Sequence, residues 1–319
     1  MSKKIIIITG AAGMLSSELI NQIINKNIDI IGIDNFRLGK KTNLKKFFKF
    51  KNFKFININL SKKIDNKKLT NFLKNKQILD IWHLAANSDI KKGVNNSNID
   101  FEDTFLTTYN VLKYFSKYLN KNSNFIFTSS SAIYGDVKGK IKDNTVSNKP
   151  CSNYGSMKLA SEAIISSFSN LNEFRSYIFR LPNVVGRNLT HGVIYDLSNK
   201  IQKKNTKFLQ VLGDGNQCKP YSHASEIIKC MLFVKSKKHT ELVNYYNIGN
   251  NDTGVRVKYI VQLLKKKYLF DKNIVYQKSK IGWKGDVSKY QYSSKKLKKI
   301  GFKFLMNSKE AVKKTINEL

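Results

Sequence analysis

Short apolar runs alternate with longer amphipathic stretches through the first half of the chain. The apolar runs, each bounded by polar residues or glycine, are typical of buried parallel strands. They cover residues 5–9, 28–34, 53–58, 79–84, 125–129 and 177–181. Stretches with helical periodicity lie between them, at 14–24, 105–119 and 157–168. Because strand and helix alternate, the pattern predicts an α/β fold of the Rossmann type, with a doubly wound parallel sheet.

Beyond residue 182 the alternation weakens into glycine-containing loops, followed by a helix pattern over 257–267 and a short apolar ending over 295–319. We expect a nucleotide-binding Rossmann domain over 1–182 and a smaller C-terminal α/β lobe over 183–319. One more strand pattern, at 245–249, could return to the main sheet. The segment 219–249 is therefore predicted to rejoin the first domain, so that the two lobes interleave in sequence.

The charge of the chain is strongly unbalanced, with 57 Lys and Arg against 22 Asp and Glu and a formal net charge of +35. Two interpretations compete: a surface for nucleic acid or an anionic membrane, or solvated lysines that reflect the composition of the source genome. The lysines are scattered among Asn and Ile, and no zinc finger or RNP-like motif accompanies them. The second interpretation is favoured, although such a field would still attract a diphosphate substrate.

The cysteines and the apolar segments indicate a cytoplasmic protein. Cys151, Cys218 and Cys230 lack the spacing of a zinc site or a disulfide framework, which favours reduced thiols. The apolar run after Met1 is too short for a signal peptide, and no segment approaches the roughly 20 apolar residues of a membrane span. We expect no contact with a membrane.

A glycine turn follows the first predicted strand. Gly10 permits the tight turn, Gly13 lets the backbone approach a diphosphate, and the N-terminus of the next helix favours the negative charge. Ser16, a small residue, occupies the third position of this glycine pattern. The turn predicts a dinucleotide site.

Asp34 ends the second predicted strand, at the spacing where an acidic residue takes the ribose hydroxyls of NAD and repels the extra phosphate of NADP. The sequence therefore favours NAD as the cofactor. Arg37, Lys40 and Lys41 follow closely and could tolerate a 2′-phosphate, which leaves NADP open. A turn or capping role is the alternative for Asp34.

Tyr154 and Lys158 stand four residues apart at the start of a helix pattern, which places the phenol and the ammonium on one face. Upstream, the strand over 125–129 ends in a hydroxyl cluster, Ser129 to Ser131. Hydroxyls at the carboxyl end of such a strand lie where ligands bind in open sheets. The alternative is that Ser129 and Ser131 only satisfy backbone groups at the strand end.

In this order the motifs resemble the extended short-chain dehydrogenase/reductase family, specifically its NAD-dependent sugar-nucleotide epimerase and dehydratase branch. The resemblance covers nearly the whole chain. It includes residues 9–13, 33–35, 83–86, 129–135, 154–158, 180–186, 213–217 and 282–286. The resemblance implies an NAD cofactor, a nucleotide-diphosphate sugar as substrate, bound by the C-terminal lobe, and a homodimer.

By this resemblance Tyr154 is the acid/base on a sugar hydroxyl, and Ser130 hydrogen-bonds the reacting oxygen. Lys158 holds the nicotinamide ribose and lowers the pKa of the phenol. A free phenol titrates at about 10, so a neighbouring cation and the oxidised nicotinamide are needed to supply phenolate near neutral pH. His83 and His223 match family positions but are expected to be structural, and no metal is expected.

The remaining contacts are also implied by the resemblance. Cofactor contacts are implied for Gly10, Gly13, Met14, Leu15, Asp34, Asn35, Asn59, Leu60, Leu84, Ala85, Ala86, Ser129, Tyr154 and Lys158. Substrate contacts are implied for Asn87, Ser131, Asn183, Val193, Lys219, Lys284 and Asp286. The chain departs from the family at three of these positions. Asn59 replaces an adenine-contacting Asp, Lys219 replaces a phosphate-clamping Arg, and Lys284, beside Trp283, lies where relatives place a second phosphate Arg.

The neighbours of Ser130 narrow the reaction. Family members that eliminate water carry an acidic pair after this position, and decarboxylating members carry a Glu, whereas this chain has Ser131 and Ala132. Redox at one carbon fits better, which predicts a nucleotide-sugar 4-epimerase acting through a 4-keto intermediate. A 4-dehydrogenase or 4-keto-sugar reductase is the alternative among enzymes. A polyanion-binding protein on a Rossmann scaffold is the alternative of another class.

Overall fold

A computed structural model describes residues 3–137, 139–142, 145, 149–204, 206–279, 291–293 and 295–319. The segment 282–286, with Trp283 and the predicted substrate residues Lys284 and Asp286, lies outside these described residues. No helix in the described ranges has both the length and the apolar character needed to cross a membrane.

The described strands vary from two to eight residues. They are β1 (Lys3–Thr9), β2 (Asp29–Asp34), β3 (Phe53–Asn57), β4 (Lys76–His83), β5 (Asn124–Ser130), β6 (Lys140–Ile141), β7 (Arg175–Leu181), β8 (Asn183–Val185), β9 (Phe208–Val211), β10 (Cys218–Lys219), β11 (Tyr221–His223), β12 (Val243–Asn247), β13 (Val255–Arg256), β14 (Asn273–Tyr276) and β15 (Gln291–Tyr292).

The described α-helices are α1 (Met14–Ile23), α2 (Lys67–Leu73), α3 (Ile90–Asn95), α4 (Ser97–Asp100), α5 (Thr107–Phe115), α6 (Asn153–Asn172), α7 (Val193–Gln202), α8 (Ala224–Ser236), α9 (Val257–Lys267), α10 (Lys295–Lys299) and α11 (Ser308–Glu318). A π-helical segment, Phe101–Leu106, joins α4 to α5. Short 3-10 turns cover Lys41–Phe47, Ser116–Tyr118 and Ser131–Tyr134.

The main sheet has seven parallel strands in the order β12-β7-β5-β4-β1-β2-β3. The strand order reverses beside β1, so the crossovers run in two directions and place helices on both faces, as predicted for a doubly wound α/β fold. β12 joins the far edge of this sheet beside β7, and it overlaps the segment 245–249 that was expected to return to the sheet.

Each face of the sheet has its own apolar core because successive side chains of a strand point to opposite faces. Ile6 and Ile8 of β1 belong to one core cluster, and Ile5 and Ile7 belong to the other. The first cluster also takes Ile227, Ile228, Met231 and Val234 from α8 and Leu297 from α10. α8 belongs to the segment 219–249 that was predicted to rejoin the first domain, whereas α10 belongs to the predicted C-terminal lobe and packs with the main sheet instead.

A third apolar cluster forms the core of the second lobe. It combines residues of α7, α9 and α11 with three short strand pairs, β8 with β11, β9 with β14 and β10 with β13. β8 follows β7 directly along the chain, after Pro182. Consequently, the second lobe begins at the carboxyl edge of the main sheet, where ligands bind in open α/β folds.

Candidate functional site

The predicted glycine turn joins β1 to α1 at the carboxyl edge of the sheet. Gly10 has φ +66°, and a Cβ there would lie 2.8 Å from the Cα of Ala85, so both the backbone angle and the close approach require glycine. Gly13 precedes α1 as its N-cap without any side-chain capping bond. The first N–H groups of α1 are therefore available to an anion, as a dinucleotide diphosphate requires.

Asp34 ends β2 and holds the glycine turn. Its Oδ2 accepts from the Ala12 N–H at 3.0 Å and its Oδ1 accepts from the Phe36 N–H at 2.6 Å. Burial raises the pKa of this carboxyl, while the two backbone bonds, with Asn35, oppose the shift. A carboxylate has about four acceptor sites, so these backbone bonds do not occupy all of them and a ribose hydroxyl can still donate to Asp34. Asp34 can therefore hold the glycine turn and bind a ribose at the same time.

Arg37 forms an ion pair with Asp103 in the π-helical segment, at 2.7 Å. This ion pair makes the Arg37 guanidinium less available to the 2′-phosphate of NADP, a contact that the sequence had allowed. Asn35 and Asn59 are joined beside this pair, since the Asn35 side chain donates to Asn59 Oδ1 at 3.3 Å. The same Asn59 oxygen accepts from the N–H of Ser61 at 3.1 Å, so it serves a local turn as well.

His83 is the centre of a buried hydrogen-bond chain behind the glycine turn. Thr108 donates its hydroxyl proton to the Thr104 carbonyl at 2.7 Å, so it accepts from His83 Nε2–H at 3.0 Å. Nδ1 then accepts from the Thr9 hydroxyl at 2.8 Å, and Thr9 accepts from the Ala85 N–H at 3.2 Å. Burial lowers the pKa of His83 to about 3, which keeps the ring neutral. His83 is structural, as predicted, and it fixes the Ala85 backbone beside Gly10.

The hydroxyl cluster lies at the carboxyl end of β5. Ser130 caps the following 3-10 turn by accepting from the Ala132 N–H at 3.2 Å. Ser129 is buried, and its hydroxyl has no hydrogen-bond partner in the described part of the chain. Ser131 begins the turn and lines a cleft at this edge of the sheet. The backbone-capping alternative therefore accounts for one bond of Ser130 but leaves the Ser129 hydroxyl unexplained.

Tyr154 and Lys158 lie in the first turns of α6. Ser152 caps this helix by accepting from the Gly155 N–H at 3.1 Å. A Cβ on Gly155 would collide with the carbonyl oxygen of Ala132, so glycine lets α6 approach the Ser131–Tyr134 turn closely. The close approach brings the phenol of Tyr154 to the hydroxyl of Ser130.

The pKa values of the pair are set mainly by burial. Burial raises the pKa of Tyr154 to about 12, with Ser130 opposing the shift and Asp100 adding to it. Burial lowers the pKa of Lys158 to about 7, although Glu162 and Asp100 oppose this change. In the protein without cofactor, burial therefore keeps the phenol's pKa above its usual value, and the lowering by Lys158 and the oxidised nicotinamide stays a prediction.

The sequence analysis missed two charged residues that act on Lys158. Glu162 follows Lys158 by one turn of α6 and forms a buried ion pair with Arg180 of β7, at 2.7 Å. Asp100 is fully buried, and its Oδ1 accepts from the Asn87 side chain at 2.7 Å. The spacing Tyr154, Lys158, Glu162 could have revealed the first residue, because steps of four share a helix face. No sequence signal marks Asp100.

Three predicted substrate residues, Asn183, Val193 and Lys219, belong to the second lobe, whereas Asn87 follows β4 of the main sheet. Asn183 begins β8 and donates to the Pro220 carbonyl at 3.4 Å. Val193 begins α7, and Lys219 ends β10. Asn87 is buried, and it bonds to Asp89 as well as to Asp100. His223 caps α8 and contacts Glu318 at 3.1 Å, which agrees with the structural role expected for it.

A single cleft of about 1080 Å³ is lined by every predicted site residue within the described ranges. Typical pockets for one small ligand have roughly 300–1,000 Å³. The cleft has room for a dinucleotide and for part of a second ligand. The glycine turn and α7 both line it.

Three comparisons with known proteins bear on this cleft. The sequence profile of the "NAD dependent epimerase/dehydratase family" matches residues 6–249. The chain belongs to this family. It is an enzyme of the NAD-dependent epimerase/dehydratase kind, and its cofactor is NAD.

Three of the similar proteins match nearly the whole chain. A protein of Methanocaldococcus jannaschii with the name "Putative UDP-glucose 4-epimerase" is 28% identical over 318 residues, which are 98% of this chain and 97% of that protein. A solved UDP-galactose 4-epimerase superposes with a TM-score of 0.83 at 26% identity, over 99% of this chain and 98% of the other. A UDP-glucose 4-epimerase of Thermotoga maritima, 24% identical over 98% and 97% of the two chains, has the same fold with a TM-score of 0.83.

The residues present fit NAD as the family's cofactor. Ser16 and Ser129 are buried at the cleft wall, and within the described ranges neither hydroxyl has a hydrogen-bond partner. Buried hydroxyls are normally satisfied, so the unpaired Ser16 in the first turn of α1 and the unpaired Ser129 at the end of β5 indicate a polar ligand along this edge of the sheet. Asp34 lies at the ribose position, and Lys158 faces the same cleft.

Proposed function

We propose that the protein is an NAD-dependent nucleotide-sugar 4-epimerase. The observation that carries the proposal is the composition of the site next to Ser130. Tyr154, Ser130 and Lys158 supply an acid/base, a hydrogen-bond donor and a cation, whereas Ser131 and Ala132 supply no carboxylate to shuttle a second proton. The names of two relatives support the same reaction, since one is a "Putative UDP-glucose 4-epimerase" and the other is a UDP-galactose 4-epimerase.

The chemistry needs one proton acceptor and one place for a hydride. Tyr154 takes the proton of the sugar's 4-hydroxyl as C4 is oxidised, and it returns the proton when the 4-keto group is reduced. Ser130 holds the reacting oxygen by a hydrogen bond. When bound, NAD would supply the hydride acceptor and donor. Inversion requires the keto sugar to present its other face before reduction.

Lys158 acts on the cofactor side of this scheme. Its ammonium is fixed by a bond to the Thr128 carbonyl at 2.7 Å, and it has two further N–H donors for a ribose. A bound cofactor and substrate hydroxyl would also provide the hydrogen bonds that keep the lysine charged. The raised pKa of the phenol in the protein alone makes this charge necessary for proton transfer near neutral pH.

The function can be tested with purified protein and a panel of UDP-, GDP- and dTDP-hexoses, with and without added NAD. Absorbance at 340 nm reports NADH, and NMR identifies the product sugar. A C4-inverted product without net NADH supports the epimerase. Stoichiometric NADH with a keto product would instead identify a dehydrogenase, and Tyr154→Phe with wild-type turnover would contradict the catalytic assignment.

We also propose a homodimer formed through the α5 and α6 side of the molecule. Phe101 and Leu171 are exposed there, at 46% and 79%, near the aromatic pairs Phe101–Phe105 and Tyr109–Phe168. Exposed apolar residues beside aromatic side chains are typical of a subunit contact. Light scattering should give twice the chain mass, and Leu171→Lys should lower it to that of one chain.

A further inference from the structure

A buried polar network connects the turn that follows Ser130 to helix α6. Arg180, near the end of β7, donates from Nε and from one terminal nitrogen to the carboxylate of Glu162, with a shortest distance of 2.7 Å. Its other terminal nitrogen donates to the hydroxyl of Tyr134 at 2.8 Å. That hydroxyl donates in turn to Oδ1 of Asn247, the last residue of β12, at 2.7 Å. The network therefore joins α6, the turn and two strands of the main sheet.

The turn over 131–134 is held at three points. At its start, Ser130 accepts from the Ala132 N–H, and in its middle the Ala132 carbonyl packs against Gly155 of α6. At its end, the Tyr134 hydroxyl is held by the network. The apolar cluster around this turn is small and separate from the three larger cores. A change at Tyr134 can consequently reach Ser130 through a single turn of four residues.

The charges of the network balance each other. Glu162 and Arg180 form a buried pair, with 3% and 13% of their side chains exposed. Desolvation of two buried charges can cost as much free energy as their attraction returns, so such a pair is weak support for stability. A fully bonded buried network instead fixes one arrangement of the groups around it. The planar fork of Arg180 has the directional geometry for this, whereas a lysine would supply a point charge.

We propose that Arg180 and Tyr134 are positioning residues for the reaction. They hold the turn over 131–134 so that the Ser130 hydroxyl stays aligned with Tyr154. Neither side chain lines the cleft, so both act through Ser130 and not on a ligand. The kinetic consequence rests on the proposed function, in which Ser130 holds the reacting oxygen. The alignment itself belongs to the protein and can be measured without turnover.

Amide hydrogen exchange on the NAD-loaded protein, followed by NMR, measures this alignment. The Ala132 N–H is bonded to the Ser130 hydroxyl oxygen at 3.2 Å, so its exchange reports the position of that hydroxyl. Tyr134→Phe removes one hydroxyl and keeps the ring, and it should speed the exchange of this amide about tenfold. Arg180→Lys keeps a charge for Glu162 but loses the fork, and it should have the same effect.

A double-mutant cycle carries the test to the reaction. Tyr134→Phe should lower kcat about tenfold and leave the KM for the nucleotide sugar within about twofold, because a misaligned hydrogen bond affects the reacting oxygen and not the rest of the ligand. In Ser130→Ala protein the hydroxyl is already absent, so adding Tyr134→Phe should cost less than a further factor of about two. A residue that only supports the fold would lower kcat by the same factor in both backgrounds.

Tyr268→Phe is the matched control for a lost tyrosine hydroxyl. Tyr268 bonds to Ser198 and Gln202 in the second lobe, and it does not line the cleft. This variant should leave both kcat and the exchange of the Ala132 amide unchanged.

Three results would overturn the inference. The first is unchanged exchange of the Ala132 amide in both Tyr134→Phe and Arg180→Lys. The second is an equal loss of kcat in the wild-type and Ser130→Ala backgrounds. The third is faster exchange in β1 as well as in the turn, since it would show a general loss of stability. Faster exchange limited to the turn, in a protein that inverts no sugar at C4, would instead count against the proposed epimerase alone.

Discussion

Lys158 and Thr128 are joined by a hydrogen bond of 2.7 Å from the ammonium to the main-chain carbonyl oxygen. Thr128 lies near the carboxyl end of β5, so this bond fixes the lysine at the edge of the sheet, one residue before the Ser129 hydroxyl. The same ammonium is 5.8 Å from the centre of the Tyr154 ring. The lysine is therefore positioned by the backbone and not by the phenol, which leaves it free to respond to a cofactor.

The lysine makes the stability of the cofactor-free protein depend on pH. Its pKa is about 7 in the folded protein, against about 10.4 for an unfolded chain, so the unfolded state binds more protons between these values. The free energy of unfolding should consequently rise with pH from about 7 to about 10. Lys158→Met should remove this part of the slope and be more stable than wild type at pH 7. Urea unfolding across this range measures it.

The comparison with Lys158→Met separates this effect from the general charge of the protein. Both proteins share the other basic residues, so their relief of repulsion at high pH is nearly the same. Parallel unfolding curves for the two proteins from pH 7 to 10 would show that the folded lysine titrates normally.

Ser130 is predicted to act on the phenol through a hydrogen bond. Its interaction lowers the pKa of Tyr154, against the larger effect of burial. Ser130→Ala should therefore move the rise of kcat/KM with pH to higher pH and should reduce the rate near neutrality about 10- to 100-fold. A pH profile of kcat/KM is the measurement. Ser116→Ala, outside the cleft, is the control, and a lower rate with an unshifted profile would argue against this role.

Gly10 is predicted to be required for both the turn and the cofactor. In Gly10→Ala the alanine would have to adopt φ +66°, where its backbone is strained. Its Cβ would also lie 2.8 Å from the Ala85 backbone. The backbone strain alone costs about 1–2 kcal/mol, and the collision displaces the wall of the NAD site. Thermal unfolding and NAD titration should both show a loss. Gly139→Ala is the matched control, since Gly139 has φ +95° but no atom within 4 Å of the added carbon. Equal losses of NAD affinity in the two variants would contradict the account.

Asp34 is predicted to set the preference for NAD over NADP. Asp34→Asn removes the negative charge but keeps one side-chain oxygen for the bond from Ala12. NAD should bind about tenfold more weakly, and the gap between NAD and NADP should narrow. Fluorescence titration with the reduced cofactors measures both affinities. The same change at Asp29, which lies at the other end of β2 and pairs with Lys3 and Lys76, should leave the preference unaltered.

The main sheet could be predicted from the sequence because its strands are long and apolar. All seven of its strands fall within about three residues of the predicted positions, and the helix predicted over 257–267 is α9, Val257–Lys267. The second lobe was predicted only in outline. Its paired strands have two to four residues, such as Cys218–Lys219 with Val255–Arg256, and so short a segment has no detectable period.

The site was predictable as far as its residues form local motifs. The glycine turn, Asp34 and the step from Tyr154 to Lys158 are such patterns, and the structure brings them to one cleft. The hydrogen bond from Tyr134 to Asn247 joins residues 113 positions apart, so no local pattern reveals it. The rise that burial causes in the phenol's pKa was not predicted either, because only the packed structure determines that burial.

The most direct test of the proposed epimerase is proton NMR of the accepted nucleotide hexose incubated with the enzyme in D₂O. A 4-epimerase that passes one hydride out and back predicts a C4-inverted product whose C4 position carries hydrogen, with no deuterium from the solvent. Deuterium at C4 or C5 of the product, loss of water from the sugar, or accumulation of a keto product with stoichiometric NADH would contradict it.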